Sequence, residues 1–399
     1  MDQITIYNAK IYTQDAERKV IENGFVRCEN GLIAEVGSGT PELSGECIDA
    51  GGASLYPGFI DIHTHMGLTT GGTGVEGEDF NEESEPISAK LQILDGINPL
   101  DRSFRQALEA GITAVAVSPG SMNPVAGDIC AISTYGRRID KMLLRRIGVK
   151  FSLGENPKMT YMDRSETPCT RMAIAAMIRE ALAKTVRYID DKKKAEEEDE
   201  DMPELDMHSE ALTPLIEGKL KAHFHCHRAD DIFTAVRIAK EFSLDCVLIH
   251  CTDGHLIAEE LAEDGVSAVV GPIISDACKA ELANITPANA ALLDKAGVPV
   301  AICTDHSEIP IEYLPISVGI CIKNGLPFEK ALDAVTITAA KIAGIDDLVG
   351  SIEVGKRADM VLFSGNPFEV MTSPKKVICG GVAAATALDT VGAPTGLDT

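Results

Sequence analysis

The chain has 399 residues and a formal charge of −25 at pH 7, because 61 acidic residues outnumber 36 basic ones. An excess of negative charge repels polyanions, so we expect no nucleic-acid partner. No apolar run approaches the ~18 residues that a membrane span requires, so we expect no membrane partner either.

The cysteines indicate the cellular compartment. The chain contains 11 of them, scattered singly, and no Cys-X-X-Cys pair. An odd number of scattered cysteines fits reduced thiols better than a disulfide framework. Residues 1–5 have no basic start and no long apolar core follows them, so we expect no secretory signal. The sequence therefore predicts a cytoplasmic protein.

The two ends of the chain predict one small β domain. Three strand patterns lie between residues 4 and 36. A module of this size is too short to bury a good core alone, so it needs a partner segment. The strand pattern at Met360–Phe363 supplies a candidate. We expect a composite β-sandwich from residues 1–55 and 346–399, beside a barrel domain at 56–345.

The middle of the chain alternates between apolar runs that predict strands and amphipathic patterns that predict helices. Strands are predicted from Gly111 and at 149–153, 220–226, 246–249, 268–270 and 298–303. Helices are predicted at 101–109, 171–188, 230–242, 256–263, 289–295 and 328–343. Such alternation indicates a parallel sheet, and a segment of this length favours its closure into a (β/α)8 barrel of ~250 residues.

One stretch carries the strongest chemical signal. Residues 55–67 read Leu-Tyr-Pro-Gly-Phe-Ile-Asp-Ile-His-Thr-His-Met-Gly, a turn signal followed by a short buried strand that ends in two histidines. Residues two apart on a strand share a face, so His63 and His65 point the same way. Two adjacent imidazoles fill a core poorly but hold a divalent metal well. This motif predicts metal ligation.

Other polar residues close the predicted strands of the barrel. His225 and His250 end two of them, and Asp305 follows a third. In a (β/α)8 barrel, catalytic groups lie at the carboxyl ends of the strands. Imidazoles with one carboxylate are ligands that zinc prefers, so we expect one or two zinc ions. Asp305 also has the right type to accept a proton from metal-bound water.

These motifs resemble those of the amidohydrolase superfamily. The resemblance rests on His63-Thr-His65, on His225 and His250, on Thr304-Asp305, and on the closing segment Gly350-Ser-Ile-Glu-Val-Gly-Lys-Arg-Ala-Asp-Met. It implies a distorted (β/α)8 barrel beside a β-sandwich built from both termini, and hydrolysis by metal-activated water. The four histidines and Asp305 would be the ligands, with Asp305 also the proton shuttle. The segment from His225 to Ile232 is similar to the imidazolonepropionase-like and prolidase-like branch.

The chain departs from the superfamily pattern in two places. Members with two metals often bridge them with a carboxylated lysine from the fourth strand, and no lysine ends a predicted strand in that region. Glu155 lies there instead, as a metal ligand or as a carboxylate that stabilises the turn or binds substrate. Lys158, three residues further on, is a candidate for the modified lysine. Around His225, the substrate-binding residues of imidazolonepropionase itself are not matched.

Cationic groups near the predicted site indicate the substrate. His227 and Arg228 follow the ligand His225, and a guanidinium binds a carboxylate through a bidentate fork. Lys158 offers a second cation. We therefore expect these three residues to bind a small substrate, an N-acyl amino acid or a dipeptide-like amide, whose C–N bond is hydrolysed.

Three alternatives stay open. The substrate could be a cyclic amide or amidine, as for imidazolonepropionase, or the reaction could be a deamination. The third alternative is a barrel that keeps the fold as an inactive scaffold, although such a protein has no reason to retain both His63-X-His65 and Asp305. The sequence also leaves open whether the chain forms a homo-oligomer.

Overall fold

A computed structural model of the protein describes residues 3–70 and 74–384. These residues form two eight-stranded sheets, one from the chain ends and one from the middle. Among them, no helix is long and apolar enough to cross a membrane. All 11 cysteines are free thiols. Residues 385–399, which the sequence assigns to the sandwich domain, lie outside the described part.

The first sheet joins the two ends of the chain. Its strands are β1 (Gln3–Tyr12), β2 (Val20–Glu29), β3 (Leu32–Ser38), β4 (Glu46–Asp49), β5 (Ser54–Pro57), β14 (Met360–Phe363), β15 (Pro374–Cys379) and β16 (Val382–Ala384). Strand β14 runs antiparallel to β5, with Met360 opposite Pro57. Asn30 and Gly31 turn the chain between β2 and β3 with φ angles of +51° and +84°, which suits an Asn-Gly hairpin turn. The predicted pairing of the two termini is confirmed.

The second sheet is the barrel. Its strands are β6 (Phe59–Thr64), β7 (Ile112–Val117), β8 (Val125–Ser133), β9 (Leu143–Ser152), β10 (Lys221–Cys226), β11 (Cys246–His250), β12 (Ser267–Val270) and β13 (Val300–Ile302). They follow one another in chain order around the sheet. β6 and β7 are parallel, and so are the neighbours from β9 to β13. The distorted barrel predicted from the sequence is confirmed.

Helices connect the barrel strands or follow the last of them. They are α1 (Arg102–Glu109), α2 (Ile139–Met142), α3 (Glu155–Met162), α4 (Arg171–Glu198), α5 (Met207–Ile216), α6 (Ala229–Glu241), α7 (Ala258–Asp264), α8 (Asn289–Ala296), α9 (Leu314–Lys323), α10 (Phe328–Asp333) and α11 (Ile337–Ala343). Residues of α11 share an apolar cluster with Ile60 and Ile249 of the barrel. The carbonyl of Lys341 accepts a hydrogen bond from Nζ of Lys221, the first residue of β10, at 3.3 Å. Helix α11 therefore covers the end of the barrel where β10 begins.

Two features differ from the prediction of a regular parallel barrel. Strand β8 was not predicted, and it runs antiparallel to both β7 and β9. The chain needs no crossover helix at this point because antiparallel neighbours can be joined by a short turn. The single helix predicted at 328–343 is two helices, since Thr336 leaves the helical conformation with φ −135° and ψ −105°.

The barrel sheet has a seam between its first and last strands. Among the described residues, no strand ladder joins β6 to β13. Instead, the backbone N–H of Ile60 donates to the carbonyl of Val335 at 2.8 Å. The backbone N–H of His65, just past β6, donates to the carbonyl of His306 at 2.5 Å. Individual hydrogen bonds therefore close the barrel here, and the candidate site lies beside them.

Candidate active site

Five histidines and one aspartate meet where the barrel strands end. His63 lies in β6 and His65 just beyond it. His225 lies in β10 with His227 after it, and His250 ends β11. Asp305 follows β13. All six residues are at least nine-tenths buried. The parallel arrangement of β6, β10, β11 and β13 brings their carboxyl ends to one rim, which is where barrel enzymes place their chemistry.

Asp305 lies between the two histidines of the first strand. Its Oδ1 atom is 3.2 Å from Nε2 of His63 and 3.3 Å from Nε2 of His65. The Nδ1 atom of His65 is 2.7 Å from the carbonyl oxygen of Ser118, which can only accept, so Nδ1 carries the proton. The lone pair of Nε2 then faces a carboxylate oxygen. Two acceptors at this distance need a shared cation, either a proton or a metal ion.

His250 is oriented in the same way. Its Nδ1 atom donates to the carbonyl oxygen of Gly271 at 2.7 Å, which leaves Nε2 free as a ligand atom. Both ring nitrogens of His225 and Nδ1 of His63 have no hydrogen-bond partner among the described residues. Buried polar atoms are normally paired. Unpaired ring nitrogens in a buried cluster of histidines therefore fit a metal ion as their common partner.

The donor atoms fall into two overlapping groups. One group consists of His225, His227 and His250, and the other of His63, His250 and Asp305. Within each group the ligand atoms lie within 4.8 Å of one another. His250 belongs to both. Nitrogen donors with one carboxylate suit zinc and related divalent metals. The residues therefore fit one metal ion or two.

The protonation states favour metal binding. Burial and the nearby Lys150 hold the pKa of His63 well below its usual value, and burial lowers the pKa of His250 to about 4. Burial would raise the pKa of Asp305, but His250 and His63 outweigh it and hold that pKa well below the usual range. Neutral imidazoles and an ionised carboxylate are the forms that bind a metal.

The sequence analysis missed Lys150, which lies in β9, the fourth strand of the barrel. Lys150 is fully buried, and its Nζ atom has no hydrogen-bond partner among the described residues. Burial lowers the pKa of Lys150 to about 8, although Asp305 acts in the opposite direction. A charged residue within an apolar strand was the available signal. Lys150 lies two residues before the end of β9, whereas the predicted ligands were sought at the strand ends.

Glu155 and Lys158 lie on α3, outside both groups of donor atoms. Glu155 is the first residue of the helix, because Gly154 turns the chain with φ +89° after β9. Its backbone N–H donates to Oε2 of Glu281 at 2.9 Å. Lys158 is partly exposed and does not line the pocket described below. Neither residue therefore belongs to a donor group or lines the pocket among the described residues.

His227 and Arg228 are adjacent in sequence but differ in environment. The Nδ1 atom of His227 lies 2.7 Å from Oγ1 of Thr252, and the ring belongs to one of the metal-ligand groups. The Arg228 guanidinium is half exposed and pairs with Asp230 at 2.9 Å. The structure therefore brings His227 into the site and leaves Arg228 on the surface.

A pocket of about 360 Å³ opens above the histidines. Its apolar wall includes Phe80, Met122, Ile273, Leu282 and Ile285. Its polar side includes Ser121, Asn156 and Lys279, none of which the sequence analysis proposed. Enclosed apolar surface with a few polar groups is typical of a small-molecule site.

Comparison with known proteins agrees with this geometry. The family model described as "Amidohydrolase family" matches residues 54–384. The amidohydrolase tasK of Hapsidospora irregularis is 28% identical over 390 residues, which is 90% of this chain, and the chain spans only 40% of that relative's length. The imidazolonepropionase of Treponema denticola is 27% identical over 381 residues, with 85% of each chain covered.

Solved structures give the same result. A crystal structure of an amidohydrolase from Thermotoga maritima MSB8 superposes with a TM-score of 0.92 and 36% identity, and covers 96% of this chain and 100% of that one. A prolidase solved with N-methylphosphonate-L-proline has a TM-score of 0.62 at 16% identity, over 96% of this chain and 100% of its own, and so supports the fold alone. The protein therefore belongs to the amidohydrolase family and is a hydrolase that acts on carbon–nitrogen bonds.

Proposed function

We propose that the protein is a metal-dependent hydrolase of a small N-acyl amino acid or dipeptide-like amide. The observation that carries the proposal is the position of Asp305, whose carboxylate lies 3.2 and 3.3 Å from two histidine nitrogens beside a pocket of small-molecule size. A carboxylate so placed can both help to hold a metal and move a proton.

The proposed metal ligands are the residues that supply free or correctly oriented donor atoms. They are His63, His65, His225, His250 and Asp305, with His227 close enough to join or to contact the substrate. Zinc is the proposed metal, since nitrogen donors predominate. When bound, the metal would supply a water of lowered pKa and polarise the carbonyl oxygen of the substrate. Glu155 stays a weaker candidate because its side chain lies outside both donor groups.

Asp305 is the proposed proton shuttle. Its depressed pKa keeps it ionised, and so able to accept a proton from the attacking water. As the carbon–oxygen bond forms and the carbon–nitrogen bond breaks, that proton passes to the leaving nitrogen. General acid–base transfer of this kind contributes roughly 10²- to 10⁴-fold to a rate.

Lys150 is the proposed counterpart of the carboxylated lysine that the superfamily resemblance implies. Its amine is buried, has no hydrogen-bond partner among the described residues, and has a pKa lowered by burial to about 8. The lowered pKa increases the neutral fraction, which reacts with carbon dioxide to give a carbamate and a proton. We expect Lys150→Ala to lower the metal content of the protein, and added short-chain carboxylates to restore part of it. An unchanged metal content in Lys150→Ala would contradict this role.

A second candidate is hydrolysis of a cyclic amide or amidine. The 85% mutual coverage with the imidazolonepropionase of Treponema denticola favours it. Deamination and an inactive scaffold are the remaining alternatives. The cytoplasmic location, the homo-oligomer and the domain boundaries at 55/56 and 345/346 stay predictions.

The test is hydrolysis by protein of measured metal content. Purified protein is assayed with N-acetyl amino acids, dipeptides, imidazolone propionate and adenosine, before and after chelation and zinc addition. We expect acetate or amino-acid release that chelation abolishes and zinc restores. Ring opening of imidazolone propionate, without hydrolysis of the other compounds, would favour the second candidate. Failure to bind any metal would exclude the hydrolase mechanism.

A further inference from the structure

The pocket beside the histidines contains one strong cation. Among the described residues that line it, Lys279 is the only lysine or arginine. It lies on the loop that follows β12, immediately before a short 3₁₀ turn at Ala280–Leu282. Its side chain is 26% exposed and lines the pocket. In a chain of charge −25, a cation kept inside the pocket requires an explanation.

Two neighbours hold the ammonium group in place. Nζ of Lys279 donates to Oδ1 of Asn156 at 2.9 Å and lies 2.7 Å from Oε1 of Glu281. The Asn156 amide is itself oriented, because its Nδ2 donates to Oγ of Ser121 at 3.0 Å. An ammonium group has three donors. One is directed at Asn156, and Glu281 pairs with the ammonium group through its charge, so donor capacity remains for a ligand.

Glu281 connects this cation to the histidine cluster. The residue is 2% exposed. Its Oε2 accepts the backbone N–H of Glu155 at 2.9 Å, and its Oε1 lies 3.6 Å from Nε2 of His227. The carboxylate is thus fixed between β10, α3 and the loop that carries Lys279. Such a buried, anchored carboxylate serves to position the lysine rather than to bind a free ligand.

We propose that Lys279 binds a carboxylate group of the substrate, with Asn156 and Glu281 as positioning residues. This inference rests on the proposed function and narrows it to amides that carry an anion near the scissile bond. The wall formed by Phe80, Met122, Ile273, Leu282 and Ile285 would receive an apolar side chain. The substrate class is therefore an N-acyl amino acid with an apolar side chain.

Lys279 fits this role better than the two cations predicted from the sequence. Arg228 forms an exposed ion pair with Asp230 and does not line the pocket. Lys158 does not line it either. A charge-assisted hydrogen bond from a partly buried lysine is stronger than one from an exposed side chain. The loop after β12, rather than the segment after β10, would then determine specificity.

The first experiment measures binding without hydrolysis. The probe is the ketone analogue of N-acetyl-L-leucine, in which a methylene replaces the amide nitrogen, and it is compared with the carboxamide of the same analogue. Calorimetry is performed on the metal-loaded wild type, Lys279→Met and Lys279→Arg, with Lys323→Met as a control for loss of an exposed lysine. We expect the wild type to bind the carboxylate about 10- to 100-fold more tightly than the carboxamide.

The three variants show whether Lys279 causes the preference for the carboxylate over the carboxamide. Lys279→Met should lose this preference while its affinity for the carboxamide stays unchanged, and Lys279→Arg should retain part of the preference. Lys323→Met should match the wild type. The proposal is overturned if Lys279→Met keeps the preference, or if the wild type shows none.

A hydrolysis assay then distinguishes failure of the proposed function from failure of the proposed role of Lys279. Acetate release from N-acetyl-L-leucine and from its amide is followed for the same variants. If the wild type releases acetate from both at equal kcat/KM, the proposed function stands and the role of Lys279 fails. If the wild type selects the carboxylate probe but hydrolyses neither compound, the anion site stands and the proposed function fails.

Discussion

The carboxylate of Asp61 accepts two hydrogen bonds from Thr304, at 2.9 Å from the backbone nitrogen and at 2.7 Å from Oγ1. These bonds cross the seam between β6 and β13. The other oxygen of Asp61 accepts the backbone N–H of His63 at 3.2 Å. One buried side chain therefore fixes both His63 and the residue before Asp305, although it belongs to neither group of metal donors.

We predict that Asp61→Ala weakens metal binding and the fold together. The change leaves the buried N–H and hydroxyl of Thr304 without their acceptor, which costs about 1–3 kcal/mol of unfolding free energy. Metal affinity should fall about 10- to 100-fold, as for other partners that orient ligands. Urea unfolding and chelator competition measure the two effects. Thr304→Val serves as the matched variant from the other side of the seam, and wild-type metal affinity in Asp61→Ala would contradict the positioning role.

Removing His250 and Glu155 in turn should show which of the two side chains holds metal. His250 belongs to both groups, so His250→Ala should lose most of the bound metal. The side chain of Glu155 belongs to neither, so Glu155→Ala should keep the wild-type content. Elemental analysis of protein purified without added metal gives the ratio of metal to chain. A fall towards half the wild-type content in Glu155→Ala would make Glu155 a ligand after all.

Asp305→Asn should abolish proton transfer while it preserves the fold. Asp305 has φ +54°, a left-handed conformation that asparagine also tolerates. The amide cannot accept the proton, so kcat should fall roughly 10²- to 10⁴-fold. The measurement is kcat for acetate release at equal metal occupancy. Asp191→Asn, an exposed change on α4, is the control and should retain full activity.

The stability of the protein should depend on pH through His223. This residue lies in β10, neither of its ring nitrogens has a hydrogen-bond partner among the described residues, and burial lowers its pKa to about 3. The unfolded chain binds a proton near pH 6.5 and the folded chain does not, so stability is complete above pH 6.5 and falls as the pH drops towards 3. Between pH 7.5 and pH 5 this group alone should cost roughly 2 kcal/mol.

Chemical denaturation at both pH values tests this dependence on His223. In His223→Leu, the difference in unfolding free energy between pH 7.5 and pH 5 should shrink by the same amount, because the variant has no proton to gain. An identical pH dependence in the variant and the wild type would show that His223 does not contribute.

The sequence predicted best where a local pattern coincides with a buried strand. β6, β10, β11 and β13 are short apolar stretches that carry a histidine at or near their ends or lead to Asp305. Their type and their shared rim could therefore be predicted from the alternation of strand and helix patterns along the chain. β8 was missed because Gly127 and Asp128 interrupt its apolar run. Asp128 is tolerated there because two partners satisfy it, the backbone N–H of Ile93 at 2.6 Å and the guanidinium of Arg146 at 3.2 Å.

The residues of the pocket could not be predicted in this way. The positions of Lys279 and Glu281 in the pocket depend on contacts with Asn156 and Glu155, which lie more than 120 positions away in the chain. The periodicity of strands and helices is local in the sequence, so it does not predict contacts between such distant residues. Arg228 shows the opposite case: its position beside His225 suggested a binding role, but Asp230 two residues later offers it an exposed partner.

The seam between β6 and β13, which individual hydrogen bonds close instead of a strand ladder among the described residues, gives metal binding a consequence for stability. His63 and His65 lie on one side of it and Asp305 on the other, so an ion held by both sides ties the first strand of the barrel to the last. Its binding free energy then adds to the free energy of opening this edge of the sheet. Amide hydrogen exchange in β6 and around Thr304 should accelerate when the metal is removed, while exchange in β10 and β11, which remain laddered on both sides, should change least.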